Sequence, residues 1–595
     1  MSKFSKIMSK LKGKIKVYDF VGFDVETYDL NGVQTFYFGS IYYYDENGKE
    51  QFETYFDKDT LIRRILTPYF ASKYIVATNL SFDYTSLFYE TSFWNDFNII
   101  YRGSDMILAT YSIDKKRKIK FIDTFNYVGF SVEKLGQIIG ISKMEKPEYI
   151  GKRKSNNQKE LNYFIEYNKY DCKISCDFMY FLQKGVNEMG GQLKLTIAST
   201  SLDTFRRQYQ TFKWIQESLK LKDEKVKSFI QKAYYGGRTE VFKRGKLKNM
   251  NYYDINSLYP SQMLKDIPNP NTVFKPDTVS IDNILKYDGV TYCYVITPKN
   301  LNYPILPYRS IDKKLIFPLG NFTGYYNNNE LRYAISKGYK VIPYKQVLYR
   351  HTFKPFNSYI TSLYNKRKEF KKQNNNMEIV TKLLMNSLYG KFAQSKRVDT
   401  TITDLNNISQ KEKVKALLYT EGNIKDNFLI QSNTIEFEGI FTFPIVSSYI
   451  SSYARILMHR YIEDYNAVYC DTDSIVTDKY IPESKELGEM KLESVLKECE
   501  FIKPKMYKMI DTNNKTTIKM KGINKASDQD FINSLDGLTI NKVKFTKLRE
   551  SIRRGFKPNT VIEINKNLSL QDTKRLWVGN ESTPLIINEV MKNDN

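Results

Sequence analysis

Tyr469-Cys470-Asp471-Thr472-Asp473-Ser474 is the stretch on which the reading of this chain turns. Ala467 and Val468 lead into it, and Ile475 and Val476 follow. Apolar flanks around a short polar centre fit two strands joined at a tight turn, with both carboxylates at the tip. Holding two acids so close on an apolar hairpin is electrostatically costly. A divalent cation offsets that cost, because hard cations prefer carboxylate oxygens. Asp, Thr and Ser also favour solvated turns, so the hairpin taken alone is more often a turn than a site.

The rest of the chain changes that balance. Its 595 residues are enough for several domains, and a hydrophobic content of 41% permits real cores. The charged fraction of 26% is ordinary, but the net charge of +25 is not. Such a surplus points to a polyanionic partner, most often nucleic acid. The 47 Tyr and 37 Phe add rings on which single-stranded bases stack while phosphates meet Lys and Arg. An AT-rich coding bias accounts for much of this composition, so charge supports the nucleic-acid reading without deciding it. Cys172, Cys176, Cys293, Cys470 and Cys499 form no close metal set and fit free thiols in a reducing, intracellular setting. With only His351 and His459, histidine-based catalysis has little support. No apolar run is long enough to span a membrane. The start is basic (Lys3, Lys6, Lys10, Lys12, Lys14, Lys16) without a signal-peptide core, and reads as a solvated tail more readily than as a nucleic-acid-binding arm.

Val17 to Glu26 reads as a buried strand with Val21, Phe23 and Val25 on one face and Asp24 and Glu26 on the other. A loop, Asn79-Leu80-Ser81-Phe82-Asp83, offers a third acid. Tyr167 and Asp171 are four residues apart in a helical pattern and share a face. Between Ile107 and Phe121 the alternation reads as a hairpin with a basic tip. Four acids on a strand, a loop and a helix can hold two metals about 4 Å apart for phosphodiester hydrolysis.

Asp24-Val25-Glu26-Thr27, Asn79 through Asp83, and Tyr167 through Asp171 resemble the three motifs of the DEDD proofreading 3′–5′ exonucleases. The resemblance implies an RNase H-like α/β domain. In it Asp24, Glu26, Asp83 and Asp171 hold metals, Tyr167 orients the attacking water, and Thr27, Asn79 and Phe82 contact the frayed primer strand. The family's Ser/Thr-Leu dipeptide stands here as Thr124-Phe125, with Thr124 as the implied DNA contact.

After a junction at Glu188 to Leu195 comes a basic helical segment around Phe205 to Lys220. Tyr234-Tyr235-Gly236-Gly237-Arg238 then pairs glycines, which allow close backbone approach, with residues that stack on bases or meet phosphates. Tyr252-Tyr253-Asp254-Ile255-Asn256-Ser257-Leu258-Tyr259-Pro260 reads as a strand ending at Asp254 and a turn into a helix, whose first N–H groups suit triphosphate oxygens. From 266 to 360, Pro268, Pro270, Pro276, Pro304, Pro307 and Pro318 argue for a loop-rich insertion with short strands. Thr361 to Lys372 and Met377 to Phe392 read as helices; Lys382, Asn386 and Tyr389 share one face of the second. Residues 394 to 438 read as a polar hairpin, and Phe443 to Tyr461 as a helix leading into the opening stretch.

Five of these segments resemble family-B DNA polymerase motifs in family order. They are the YxGG linker (Tyr234, Gly236, Gly237), motif A (Asp254 to Pro260), motif B (Lys382 to Gly390), motif C (Tyr469 to Ser474) and KxY (Lys505-Met506-Tyr507). The resemblance implies that Asp254 and Asp473 ligate metal and that Asp471 completes the acidic cluster. It implies that Ile255, Tyr259, Lys382, Asn386 and Tyr389 bind the nucleotide, with Tyr259 excluding a ribose 2′-hydroxyl. Tyr234, Gly236, Gly237, Lys505 and Tyr507 would hold template and primer. The compact length and two insertion positions resemble the protein-primed branch found in small bacteriophages and linear plasmids.

The fold expected is therefore an α/β and α+β multidomain chain: an RNase H-like exonuclease domain, then a right-hand polymerase with two insertions. The expected boundaries are 1–190 for the arm and exonuclease domain, 191–265 and 439–525 for the palm, and 266–360 for the first, terminal-protein-region insertion. They continue with 361–393 for the fingers, 394–438 for a strand-displacement insertion, and 526–595 for the thumb and tail, where Lys542, Lys544, Lys547, Arg549, Arg553, Arg554 and Lys557 would grip duplex phosphates. The expected activity is DNA-directed DNA synthesis with 3′–5′ proofreading, on Mg²⁺ with Mn²⁺ able to substitute. The expected partners are template and primer DNA, dNTPs and a terminal protein, the chain being a monomer or a heterodimer with that protein, in host cytoplasm or a mitochondrion. The alternatives are a family-B polymerase using nucleic-acid primers, a nuclease with an inactive polymerase half, and a non-catalytic DNA-binding protein.

Overall fold

The computed structural model describes residues 6–102, 105–394, 397–404, 422–425, 428–435, 441–548, 550–551 and 556–590; side chains between 395 and 440 are outside that description. The N-terminal third is built on a seven-stranded sheet. Its first strand, β1 (Phe20–Leu30), pairs antiparallel with β2 (Val33–Tyr44), which carries β3 (Glu50–Tyr55). On the other side β1 runs parallel to β4 (Tyr74–Ala77), which leads into helix α1 (Leu80–Phe88). The sheet ends with β5 (Phe97–Arg102), β6 (Asp105–Ser112) and β7 (Lys118–Asp123), in the order β3-β2-β1-β4-β7-β6-β5. The hairpin with a basic tip is β6–β7. The strand expected over Val17 to Glu26 begins at Phe20 and continues to Leu30, past both acids. Val21, Phe23 and Val25 are buried in one core beneath the sheet, while Phe20 faces a second core with Cys172 and Cys176. The period-2 pattern thus puts Asp24 and Glu26 on the face covered by helix α2 (Gln158–Glu188). Asn157 caps α2, accepting from the Glu160 N–H at 2.9 Å.

The basic helical segment expected around Phe205 to Lys220 is instead a wider turn at Phe205–Tyr209, a strand at Trp214–Ile215 and a short helix at Glu217–Lys220, preceded by a helix at Ile197–Thr204. Beyond it lies the palm sheet. It begins with β8 (Thr239–Val241) and β9 (Gly245–Ile255), and β9 turns through Ser257, at φ +56°, into helix α3 (Leu258–Gln262).

Residues 266–360 are more regular than their prolines suggest. Strands β10 (Val273–Phe274), β11 (Asp288–Ile296) and β12 (Leu319–Asn327), helix α4 (Asn328–Ser336) and strand β13 (Lys340–Tyr349) form a real α/β unit. The prolines sit largely in the connections, and the long strands are β-branched and aromatic. Helices α5 (Asn357–Lys372) and α6 (Met377–Phe392) pack antiparallel as fingers, and Leu384 and Leu388 are buried as their spacing requires. The second insertion contains antiparallel strands at Arg397–Asp404, Gly422–Lys425 and Phe428–Ile435; the rest of the expected hairpin lies outside the described residues.

Helix α7 (Pro444–Asp464) then delivers the chain to β14 (Tyr469–Asp471) and β15 (Ser474–Thr477), followed by β16 (Met490–Lys503), β17 (Met506–Asp511) and β18 (Thr516–Met520). The palm order is β8-β14-β15-β9-β16-β17-β18. A buried pair, Arg455 on α7 with Glu330 on α4 at 2.8 Å, clamps the first insertion to the palm. The C-terminal region adds a hairpin, β19 (Ile540–Phe545) with β20 (Val561–Lys566). Its end does not stand apart: β21 (Ile586–Asn588) joins β12 in the sheet of the first insertion. Arg575, 3% exposed, lies under the palm 3.8 Å from the Glu240 carboxylate.

Candidate active sites

The N-terminal acids come together between β1, α1 and α2. Asp24 and Glu26 project from β1, and Asp171 from α2. Asp83 sits in the first turn of α1, not in a loop as expected, because Asn79 turns the chain at φ +75° and the helix starts at Leu80. Its Oδ1 accepts the Val25 N–H at 3.1 Å, which ties α1 to β1 between the two strand acids. Burial raises all four carboxyls, and the neighbouring carboxylates raise Asp24 and Glu26 further. Glu26 is pushed up to about 8, by burial first and then by Asp171. Two residues that sequence reasoning missed compensate this charge. The Asn168 amide donates to Asp24 Oδ2 at 2.6 Å and to Glu26 Oε1 at 3.4 Å. The Lys143 ammonium donates to Asp171 Oδ2 at 2.7 Å and lies 4.7 Å from the centre of the Tyr167 ring. Asn168 stood inside the recognised helical stretch, and its position three residues before Asp171 was a usable signal; Lys143 carried none.

Among the described residues no three Asp, Glu, His or Cys side chains converge closely enough to hold a metal ion as they stand. The donor set nevertheless fits a hard cation. It is all carboxylate, and Asp171 Oδ1 is buried with no hydrogen-bond partner.

Two expected DNA contacts are internal. Thr27 is 4% exposed and donates its hydroxyl to Gln34 Oε1 at 2.6 Å. Thr124 is fully buried and donates to Thr78 Oγ1 at 3.0 Å, while its neighbour Phe125 is the exposed member of the dipeptide. Both hydroxyls serve the fold. Asn79 and Phe82 remain partly accessible, and Phe82 packs its ring against Phe545 of β19 with centroids 5.6 Å apart.

The second acidic cluster lies on the palm. Asp254 sits on β9 opposite Ser474 of β15 and Lys491 of β16, so the end of β9 lies beside the β14–β15 hairpin. That hairpin turns in two residues, Thr472 at φ +65° and Asp473. The tip is held from both sides: Thr472 N–H donates to Arg238 O at 2.8 Å and Ile255 N–H to Asp473 O at 2.8 Å. Gly237 leaves room for this contact, because a Cβ there would lie 2.8 Å from Thr472 Cγ2. The YxGG segment therefore braces the hairpin as well as lying beside it. Arg455 donates to the carbonyls of Tyr235 at 2.7 Å and Gly236 at 3.3 Å, and Arg309 to that of Tyr234 at 2.6 Å.

Asp254 is pushed up to about 7, by burial first and then by Asp473 and Glu493, with Lys382 and Lys491 opposing. Burial also raises Asp473, with Asp471 adding to it and Lys505 and Lys382 opposing. Asp471 stands differently: it accepts from Thr239 Oγ1 at 2.9 Å and pairs with Lys505 at 3.1 Å. Lys382 and Asn386 are exposed on the outer face of α6, and the Tyr389 ring stacks on Tyr259 at 4.4 Å and 12°. Ile255 does not join this face. Its side chain is 1% exposed in the palm core and its N–H is spent on Asp473, so neither group is offered to a nucleotide. Tyr507 is likewise buried, edge-on to Tyr469 at 5.3 Å, and of the KxY motif Lys505 alone is exposed.

The sequence and this topology match known proteins. Residues 39–486 match the family described as DNA polymerase type B, organellar and viral, and the chain belongs to that family. A probable DNA polymerase from Podospora anserina is 26% identical across 93% of this chain and 50% of its own length. The DNA-directed DNA polymerase of Enterobacteria phage PRD1 is 24% identical across 60% of this chain and 62% of its own. The chain spans about half the length of the first curated relatives it matches. Among solved structures, Phi29 DNA polymerase superposes with a TM-score of 0.68 at 18% identity, covering 93% of this chain and all of that one. The fold is accordingly that of Phi29 DNA polymerase, the multidomain α/β and α+β arrangement expected. Among the described residues no helix is long and apolar enough to cross a membrane.

Proposed function

We propose that the chain is a DNA-directed DNA polymerase with a 3′–5′ proofreading exonuclease. The observation that carries the synthetic half is the meeting of Asp254, at the end of β9, with Asp473, in the turn of the adjoining β14–β15 hairpin, close enough to Lys382 of α6 for each carboxyl to feel its charge. Asp254 and Asp473 would hold Mg²⁺ or Mn²⁺, and Asp24, Glu26, Asp83 and Asp171 would do so in the exonuclease domain. When bound, such cations activate the attacking oxygen and neutralise charge on the transferring phosphoryl group.

The chain's own residues do the rest. Lys382 meets the triphosphate, and Asn386 and Tyr389 continue that face toward the nascent base pair. The stacked Tyr259 ring, fixed by Tyr389, forms a floor beneath the sugar. Lys505 restrains Asp471, so Asp471 shapes the cluster while Asp473 stays available for direct ligation. In the exonuclease site Tyr167 orients a water, and Lys143 holds both the Tyr167 ring and Asp171.

Phi29 DNA polymerase has been solved with primer-template DNA and incoming nucleotides, and the same substrates are proposed here. The first insertion, with the protein-primed resemblance, supports initiation on a hydroxyl of a terminal protein. Primer extension with Mg²⁺ and dNTPs tests the synthetic reading; no extension by the full chain would refute it. Transfer of a labelled dNMP to a candidate terminal protein tests the priming mode, and a chain that extends primers yet labels no such protein uses nucleic-acid primers.

A further inference from the structure

A cavity of about 370 Å³ lies where α4 of the first insertion meets α7 of the palm, with Lys265 reaching in from the segment after α3. It is separate from both acidic clusters. Helix α7 gives Ser447 and Arg455 to the fingers and the YxGG carbonyls. Tyr453, Ile456, Leu457 and Arg460 line the cavity and follow the i, i+3, i+4, i+7 spacing of a single face.

Three cations border the cavity and no carboxylate does. Arg332 is already neutralised by Asp288 and bonded to the Ile284 and Tyr287 carbonyls. Asp266, beside Lys265 in the chain, is matched to Lys354 at 3.6 Å, and Glu463, one turn beyond Arg460, to Lys337 at 2.7 Å. Lys265 and Arg460 have no ion pair among the described residues. They lie close enough that Arg460, after partial desolvation, holds the Lys265 ammonium below its ordinary value. Each cation stands over a ring: Lys265 lies 5.0 Å from the centre of Tyr453, and Arg460 5.4 Å from that of Tyr333. Both ring hydroxyls are engaged, with Asp266 O and with His459 Nδ1, which fixes the ring planes. At the wall, Asn329 is 8% exposed and its Nδ2 is buried without an acceptor. Its Oδ1 accepts the Glu330 N–H, which sets the orientation of the amide.

Uncompensated cations beside aromatic and aliphatic surface match a group that is anionic at one end and flat at the other. A carboxylate side chain would meet the cations but leave the half-buried Tyr453 and Tyr333 rings and Leu457 uncovered. We propose that this cavity is a nucleotide-binding subsite outside the catalytic centres, with the phosphate between Lys265 and Arg460 and the base against Tyr453 and its apolar neighbours. Its volume is at the small end of ligand pockets, which run from about 300 to 1,000 Å³, so it takes one nucleotide unit, free or within a single strand.

The test is acetylation of Lys265 by an N-hydroxysuccinimide ester, read by mass spectrometry on the full chain in EDTA, with the exposed Lys116 as reference. At a dAMP concentration ten times the dissociation constant, acetylation of Lys265 should slow about tenfold, and Lys116 should not change. Arg460→Glu, an exposed change, should abolish the protection. Tyr453→Leu should lower protection by dAMP to that given by inorganic phosphate. Protection by dAMP marks a free nucleotide as the source. Protection by a short oligothymidylate alone, lost in Arg460→Glu, marks a strand and equally supports the subsite. The proposal is overturned if neither probe protects Lys265, if inorganic phosphate protects as well as both, if polyglutamate alone protects, or if Arg460→Glu leaves protection intact.

Discussion

The two acidic clusters solve one electrostatic problem in different ways. In the exonuclease domain the acids come from β1, α1 and α2, all within one sheet-and-helix unit, and are sealed by it. Their partners are internal: the neutral Asn168 amide and the Lys143 ammonium touch them directly. In the palm the acids come from β9 and the β14–β15 hairpin, more than two hundred residues apart in sequence, and the cluster is more open. Its cations, Lys382, Lys491 and Lys505, arrive from the fingers and the palm edge. The sealed site holds Glu26 up at about 8 and the open one Asp254 at about 7, burial being the main cause in each. The first is fixed by one domain's fold; the second depends on how distant segments dock.

If the two clusters act separately, Asp24→Ala with Asp83→Ala should lower 3′–5′ degradation by about 10³-fold or more and leave primer extension within about twofold of the parent, assayed on one labelled primer–template. Lys143→Met removes the internal cation and should cost about 10²-fold in degradation, again without slowing extension. Equal losses in both activities would show that the sites are not independent.

The link between them is α2, which carries Asp171 near its middle and meets the motif B helix α6 at Gly185. A Cβ at Gly185 would lie 2.8 Å from Met377 Sδ and 2.9 Å from Val380 Cγ2. Gly185→Val should therefore destabilise the chain by about 1–3 kcal/mol in thermal or urea unfolding. It should also raise the dNTP KM several-fold through the displaced Lys382 face, an effect absent if the fingers move independently of α2.

The smallest effect is on pH. Glu26 titrates near 8 in the folded chain and near 4.3 unfolded. Between those values the folded state keeps a proton that the unfolded state has lost, so this group makes stability fall as pH rises from about 4 to about 8. In chelator the melting temperature of the parent should drop across that window relative to Glu26→Gln, and Mg²⁺ at pH 8 should raise it again by binding the folded state. A parent and variant with parallel pH profiles would contradict the shift.

What was legible in the sequence follows from what local pattern encodes. Period-2 alternation placed Asp24 and Glu26 on one face of β1, and helical spacing placed Lys382, Asn386 and Tyr389 on one face of α6; both hold. Thr27, Thr124, Ile255 and Tyr507 were assigned outward roles through their neighbours, but each is buried. Motif membership does not say which side of a motif meets solvent. Lys143, Arg455 and the seating of Arg575 beneath the palm were invisible, because each depends on partners far away in the chain. Prolines misled in the first insertion: they mark its connections, whereas its long strands are carried by β-branched and aromatic residues such as Val290, Tyr292, Tyr294 and Val295.

The most direct measurement is single-nucleotide primer extension by the full chain with Mg²⁺, comparing the parent with Asp473→Ala and following degradation of the same primer without dNTPs. The expected result is extension by the parent, its loss by about 10³-fold or more in Asp473→Ala, and degradation unchanged in both. Extension by Asp473→Ala at the parent rate would contradict the assignment of the β14–β15 hairpin as the centre of synthesis.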